Sequence, residues 1–130
     1  MKDLFRLFPL VLAAFAAHAL ASSAVDDRFL VARDAARAGD RAKLERVAPE
    51  LAGYELEPYV DYWRLSLDLA NVDASAVKSF LQRNDKSYLA EKLRGDWLKQ
   101  QGKKQQWADF DAEYLALVQP DQELSCYALQ

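Results

Sequence analysis

The side chains able to act as acids, bases or nucleophiles are few in this sequence, because its single histidine lies near the N-terminus. No second imidazole follows His18, so Ser-His pairs, Cys-His pairs and histidine metal ligands are not expected downstream of it. The sequence also has no GxxxxGK[ST], GxGxxG or CxxC motif, the signatures of phosphate, dinucleotide and zinc-ribbon sites. We therefore predict no catalytic residue, no cofactor and no metal ligand in this chain.

Carboxylates are the remaining groups that could work as an acid and base pair. They form two sets. The first lies in one predicted helix and comprises Asp109, Asp111 and Glu113. The second flanks the third predicted helix and comprises Glu55, Glu57, Asp61 and Asp68. Side chains two residues apart on a helix point to different sides, and no apolar pocket can be named that would raise the pKa of one carboxyl above another. We interpret both sets as solvated helix surface.

Aromatic side chains at helical spacing could stack on sugar rings, although the same spacing is typical of a hydrophobic core. The set comprises Tyr59, Tyr62, Trp63, Trp97, Trp107, Phe110 and Tyr114. We favour the core interpretation and expect Trp63 and Trp97 to be core anchors.

The N-terminal segment, residues 1–24, has the composition of a secretory signal peptide. Two basic residues precede an apolar run from Leu7 to Leu20, which is shorter than the roughly 20 residues of a membrane span and is followed by small residues. Export with cleavage after Ala21 or Ala24 is favoured over a membrane anchor. The mature chain, residues 25–130, is then expected in the periplasm, without membrane contact.

The mature sequence predicts short helices connected in pairs, and no run alternates apolar and polar residues in the manner of a strand. The first pair runs from about Asp26 to Ala38 and from Arg41 to Leu51, with Gly39 ending one helix, Asp40 capping the next and Pro49 kinking it or ending it early. We therefore predict an all-α fold of stacked helical hairpins, an α-superhelix or solenoid.

The next elements are a central helix, buried on more than one side, and a shorter helix. The central helix should begin at Pro58, which suits a first turn, and end at Asn71. Asp73 or Ser75 should then cap a fourth helix that breaks at Asn84-Asp85.

The best-defined hairpin is predicted for Leu93 to Val118, with a polar break around Gly102 between its two helices. Gly102 is expected to take the left-handed conformation that ends a helix. Apolar stripes on the two arms consist of Leu89, Leu93 and Trp97, then Trp107, Phe110, Tyr114 and Leu117. An internal repeat is suggested because Gly39, Leu44, Val47 and Leu51 align with Gly102, Trp107, Phe110 and Tyr114. A last helix is predicted from Asp121 to Leu129, and we recognise no element after it that would close the array.

The helix pairs resemble the N-terminal region of the soluble lytic murein transglycosylases. Four segments carry the resemblance, namely LEPYVDYWRLSLDL, VKSFLQRND, LRGDWLKQQGKKQQWADFDAEY and ELSCYALQ. The resemblance covers Asp26 to Gln130 and implies the superhelical U-domain, a ring of paired helices. In that family a separate lysozyme-like domain cleaves peptidoglycan glycan strands without hydrolysis, using a Glu followed directly by Ser.

No glutamate of this chain is followed by serine, so no catalytic residue is transferred from the family. The resemblance implies a non-catalytic scaffold segment, or the product of a truncated gene, that meets peptidoglycan through a catalytic domain outside this chain. The alternative is an exported, non-enzymatic TPR-like repeat that binds a peptide or protein partner. Nucleic acid is not an expected partner, because the formal net charge is −3 and lysine and arginine are not clustered.

Cys126 is the single cysteine, on a chain expected in an oxidising compartment. It could be a small buried side chain, an intermolecular bridge or one half of a disulfide with a partner beyond Gln130. Catalysis by Cys126 is disfavoured, because no histidine or basic neighbour would lower the pKa of its thiol. The resemblance favours the disulfide, since transglycosylases of this type carry bridges between early helices.

Overall fold

The computed structural model describes residues 24–130, and all regular elements of that part of the chain are helical. The prediction of an all-α fold is therefore confirmed. Of the predicted signal peptide, residues 1–23 lie outside the described residues, and Ala24 begins the first helix. The helices are α1 (residues 24–37), α2 (Arg41–Val47), a 3-10 turn (Ala48–Leu51), α3 (Glu57–Ser66), α4 (Ala74–Arg83), α5 (Tyr88–Lys103), α6 (Trp107–Tyr114) and α7 (Gln122–Tyr127).

The described part of the chain divides into two compact units, with the division between Glu57 and Pro58. In the first unit α1 is followed by Gly39, whose φ of +69° is the left-handed conformation that glycine adopts without strain. The Asp40 carboxylate accepts a hydrogen bond of 2.9 Å from the backbone N–H of Lys43 and so caps α2. The α-helix gives way to the 3-10 turn at Ala48, one residue before Pro49. The predicted cap and early helix end are thus confirmed.

Tyr54, in the connector after the 3-10 turn, packs against α1. Its hydroxyl hydrogen-bonds to the Asp26 carboxylate, and its ring lies 5.8 Å from that of Phe29, centroid to centroid. The hydrogen bond to Asp26 raises the pKa of Tyr54 above its usual value. Arg28 and Glu50 add an exposed ion pair of 3.1 Å. The connector after the 3-10 turn is therefore held by polar contacts as well as by apolar packing.

The third helix is shorter than the sequence predicts. It ends at Ser66 instead of Asn71, because Asp68 organises a turn there: its carbonyl accepts from the backbone N–H groups of Asn71 and Val72, and its carboxylate accepts from the Asn71 amide. Short polar side chains of this kind compete with helical hydrogen bonding. Burial on more than one side is confirmed, because Val60 and Tyr62, which lie on opposite sides of the helix, are both buried, although Tyr59 is 42% exposed.

The fourth helix follows its prediction closely. The Asp73 carboxylate accepts from the Ser75 N–H at 2.8 Å, and Asn84 is the C-cap. One face of α4 is completely buried and joins a cluster with α3 and α5. Its members are Tyr62, Val77, Phe80, Leu81, Leu89, Ala90, Leu93 and Trp97, with Trp63 only partly buried against them. Of the two expected anchors, Trp97 is confirmed, whereas Trp63 lies at the edge of the core.

The longest helix, α5, is the element against which α4, α6 and α7 pack. The predicted antiparallel hairpin of α5 and α6 is present, with Phe110 of α6 fully buried beside Leu98 of α5 and Leu124 of α7. Both later helices end early, since α6 stops at Tyr114 and α7 at Tyr127. Among the described helices, none is both long and apolar enough to cross a membrane.

Gly102 does not have the conformation predicted for it. The helix continues through Lys103, and the left-handed residue of the turn is Gln105, with a φ of 57°. The internal repeat therefore fails at its glycines, because Gly39 is left-handed and Gly102 is helical. A Cβ atom on Gly102 would lie 2.6 Å from Cγ of Tyr127, so this glycine lets the ring of α7 rest on the backbone of α5.

Candidate functional site

Two of the three carboxylates of the first set, Asp109 and Glu113, are bound to separate cations. Asp109 lies 2.6 Å from Nζ of Lys78, and this hydrogen bond raises the pKa of Lys78. Glu113 lies 3.1 Å from Nε of Arg94, an arginine that is only 7% exposed. The solvated-surface interpretation holds for the exposed Asp111 but is wrong for Glu113, which neutralises a buried charge.

Asp61 and Glu57 of the second set of carboxylates also have partners. Asp61 lies 3.6 Å from Arg64 and 3.4 Å from Arg83, and the Glu57 carboxylate accepts from the backbone N–H of Gly53 at 2.7 Å. These contacts are those of surface ion pairs and local caps.

The predicted aromatic set is mostly core, as the spacing indicates. Trp97 and Phe110 are fully buried, and the Phe110 ring stacks on that of Tyr114 with centroids 5.3 Å apart. Tyr59 is the most exposed of the seven, although its ring also packs at 6.2 Å from that of Trp63. Among the described residues, the aromatic side chain that is most open to solvent is Tyr88, at 75% exposure, and it was not in the predicted set.

Tyr88 lines a surface groove of the second unit, a cavity of about 460 Å³ between α5 and the segment that leads into α7. We call it the α5 groove. We call Gly95, Leu117 and Leu124, which lie next to one another in its lining, the floor of the groove, and most of the other lining residues are charged. The charged members are Lys86, Glu91, Lys92, Asp96, Lys99 and Asp121.

The charges of the α5 groove are mostly closed into pairs. Lys92 and Asp96 lie 3.2 Å apart, one turn from each other on α5, and the hydrogen bond to Asp96 raises the pKa of Lys92. Lys99 and Asp121 lie 2.5 Å apart and join α5 to the start of α7. The hydrogen bond to Asp121 raises the pKa of Lys99. The pKa of Asp121 is lowered, first by its hydrogen bond with Lys99 and then by the hydrogen bond that it accepts from the Leu124 N–H.

Glu91 holds the far side of the groove in place. One of its carboxylate oxygens accepts hydrogen bonds from the backbone N–H groups of Val118 and Gln119, at 2.8 and 3.0 Å. The other lies 3.9 Å from Nη1 of Arg94, whose Nε binds Glu113 of α6. The first turns of α5 thus fix both α6 and a segment without regular structure.

The groove was missed in the sequence because its residues come from two distant segments. One signal was present: Gly95 interrupts a helical pattern, at a position where no turn is predicted. Neither Gly95 nor Lys86 was among the predicted functional residues.

Stability is expected to fall in acid partly through Asp121. Because its pKa in the folded state is below the ordinary value of 3.8, its stabilising contribution is complete above about pH 4 and is lost as the pH falls through the folded-state pKa. Asp121→Asn should therefore flatten the dependence of the urea midpoint on pH below about 4. Asp111→Asn, at an exposed position, is the matched control, and equal slopes in both variants would contradict this assignment.

Cys126 is an exposed side chain on α7. The interpretation of Cys126 as a small buried side chain is therefore wrong. The disulfide with a partner expected beyond Gln130 stays a prediction. Within residues 24–130 no three histidine, cysteine or carboxylate side chains are grouped as metal ligands.

Comparison with known proteins adds no relative. No protein-family model, no curated protein and no solved structure matches the chain.

Proposed function

We propose that this chain is the N-terminal scaffold segment of a periplasmic soluble lytic transglycosylase. It contributes helical hairpins to a superhelical domain, while a catalytic domain outside this chain carries out non-hydrolytic cleavage of peptidoglycan glycan strands. The observation that supports the proposal is the α5–α6 hairpin. It lies within the most specific segment of the family resemblance, and α4 and α7 pack on the same helix.

The environment of the acidic side chains also suits a scaffold. A glycosidic acid needs a carboxyl whose pKa is raised by an apolar site, but Glu113 binds a buried arginine and Glu91 binds two backbone N–H groups. Glu113 joins α5 to α6, and Glu91 joins α5 to the segment that leads into α7.

A second candidate function is a TPR-like adaptor that binds a peptide or protein. The α5 groove favours it, because the groove is open and has both an apolar floor and charged sides. The two candidates differ in what the downstream reading frame should encode. A lysozyme-like domain with a Glu-Ser pair supports the transglycosylase, whereas further repeats ending in a polar cap support the adaptor.

Purified residues 25–130 are expected to release no anhydromuropeptides from isolated peptidoglycan, because the scaffold proposal places the catalytic acid elsewhere. The measurement is chromatography of the soluble products by mass, with an active lytic transglycosylase as the positive control. Turnover by residues 25–130 that persists in Glu113→Gln and Glu91→Gln would contradict the scaffold role. Turnover lost in either variant would contradict it equally and would identify the acid.

A further inference from the structure

The last helix, α7, is attached to the second unit by few side chains. Leu124 is buried against Leu98 of α5 and Phe110 of α6. Tyr127 is partly buried, with its ring on the backbone of Gly102. The other four of the six residues of α7 are exposed. A helix of this length is not stable alone in water, so α7 owes its structure to the surface on which it lies.

Ion pairs complete the attachment of α7 and fix its direction on α5. Nζ of Lys99 lies 2.5 Å from the carboxylate of Asp121, the N-cap of α7, and 3.7 Å from that of Glu123. Nζ of Lys103 lies 3.8 Å from the Glu123 carboxylate. We call the residues beneath α7 the α7-binding surface, and they are Leu98, Lys99, Gly102, Lys103 and Phe110. This surface fits a helix that begins with two carboxylates and carries a leucine and a tyrosine three residues apart.

Residues 115–121, which join α6 to α7, have the properties of a hinge. The segment has no regular structure, and Leu117 is its only residue that is not exposed. Pro120 keeps the residue before it extended and disfavours a continuous helix. When fully extended the segment spans up to about 23 Å, so α7 can leave its own binding surface while the rest of the second unit stays folded.

Exposed apolar side chains are concentrated beside this hinge. Among the described residues six large apolar side chains are exposed, and four of them belong to this region. Leu115 and Val118 lie in the hinge and are 89% and 79% exposed, while Leu129 follows α7. The fourth, Tyr88, lines the α5 groove together with Val118. Clustered apolar surface of this kind is typical of contacts between protein chains.

We propose that two copies of this chain exchange α7, so that the α7-binding surface of each copy holds the α7 of the other. The partner is a second copy because its α7 carries the side chains that fit this surface, and every contact that α7 makes in the monomer can form between the chains. The exchange also places two hinges side by side, where Leu115 and Val118 lose exposed apolar area. Monomer and dimer then differ mainly in the hinge and in the entropy of association. This dimer does not depend on the proposed function.

The first test is the mass of the whole chain, measured by size-exclusion chromatography with light scattering over a wide range of concentration. Reducing conditions prevent the exposed Cys126 from forming an intermolecular disulfide. Samples are first incubated in urea below the unfolding transition, because the hydrogen bonds from Val118 and Gln119 to Glu91 must open before α7 leaves. The dimer fraction should rise with concentration. A chain that stays monomeric at every concentration would overturn the proposal.

Mixing two charge-reversed variants tests whether the dimer forms through α7. Lys99→Asp changes the α7-binding surface and Asp121→Lys changes α7, so each variant alone has like charges where the parent has an ion pair. In an exchanged heterodimer both contacts again join opposite charges. The mixture should therefore dimerise with an apparent Kd about tenfold or more below that of either variant alone.

Lys78→Asp and Asp109→Lys are the matched control pair, because these residues form an exposed ion pair between α4 and α6, away from α7. Mixing them should not promote dimerisation. Thermal melts of each variant identify any loss of fold, and the reversed residues are at the surface, where such a loss is not expected. A parent dimer combined with a Lys99→Asp and Asp121→Lys mixture that associates no better than its components would show a different interface and would overturn the exchange of α7.

Discussion

Trp97→Ala should lower the free energy of unfolding by about 3–5 kcal/mol, the usual cost of deleting a large buried aromatic side chain. Trp97 is 1% exposed and packs in one cluster with Tyr62, Phe80 and Leu93. Because small domains are stable by only about 5–15 kcal/mol, this loss is a large fraction of the total, and the urea midpoint should fall strongly. Urea unfolding followed by far-UV circular dichroism measures the change.

Trp63→Ala provides the control with the same side chain. Trp63 packs against the same cluster but is only partly buried, so its replacement should cost clearly less than that of Trp97. A Trp97→Ala variant that melts within a degree of the parent would show that the cluster is not the core of the second unit. Equal losses in the two variants would show that burial does not determine the ranking.

Gly102→Ala should destabilise the protein by about 1–3 kcal/mol, as overpacking does, although alanine is the better helix former. The new Cβ would lie between 2.6 and 2.9 Å from three ring atoms of Tyr127, at the base of the ring, so α7 must move away. Gly95→Ala should have the opposite sign and stabilise the same helix by up to about 1 kcal/mol. Chemical denaturation of the two variants compares identical substitutions, seven residues apart.

A double-mutant cycle isolates the cause. In a Tyr127→Ala background the obstruction is gone, so Gly102→Ala should become neutral or stabilising. Persistence of the destabilisation without the tyrosine ring would refute the packing explanation and would place the effect in the turn that follows α5.

Helix boundaries were predictable where a local signal specifies them. Asp40, Asp73 and Asp121 each accept a backbone N–H at a helix start, and a short polar side chain before an apolar repeat is visible in sequence. The end of α3 was not predictable in this way, because apolar periodicity continues past Ser66 while the Asp68 turn interrupts the helix. The apolar periodicity favours a longer helix and Asp68 favours a turn. Packing decides between these two preferences, and the sequence pattern carries no information about packing.

The roles of Gly102 and of the α5 groove depend on residues far away in sequence. Glycine beside a polar break is typical of a helix end, and only the position of Tyr127, 25 residues later, makes Gly102 a packing residue instead. The floor of the groove likewise combines Gly95 with Leu117 and Leu124. Apolar periodicity gives information on one helix at a time, so it does not predict which residues of different helices are in contact.

The Glu91 contact has a consequence for the order in which the chain folds. The N–H groups of Val118 and Gln119 are satisfied by a side chain 27 and 28 residues earlier, so this segment cannot be fixed until the first turn of α5 exists. Closing that loop costs entropy that only later contacts offset. The α5–α6 hairpin, made from neighbouring residues, can form first. The segment carrying α7 then docks as a late step, and it is the first part of the second unit expected to detach when the protein begins to open.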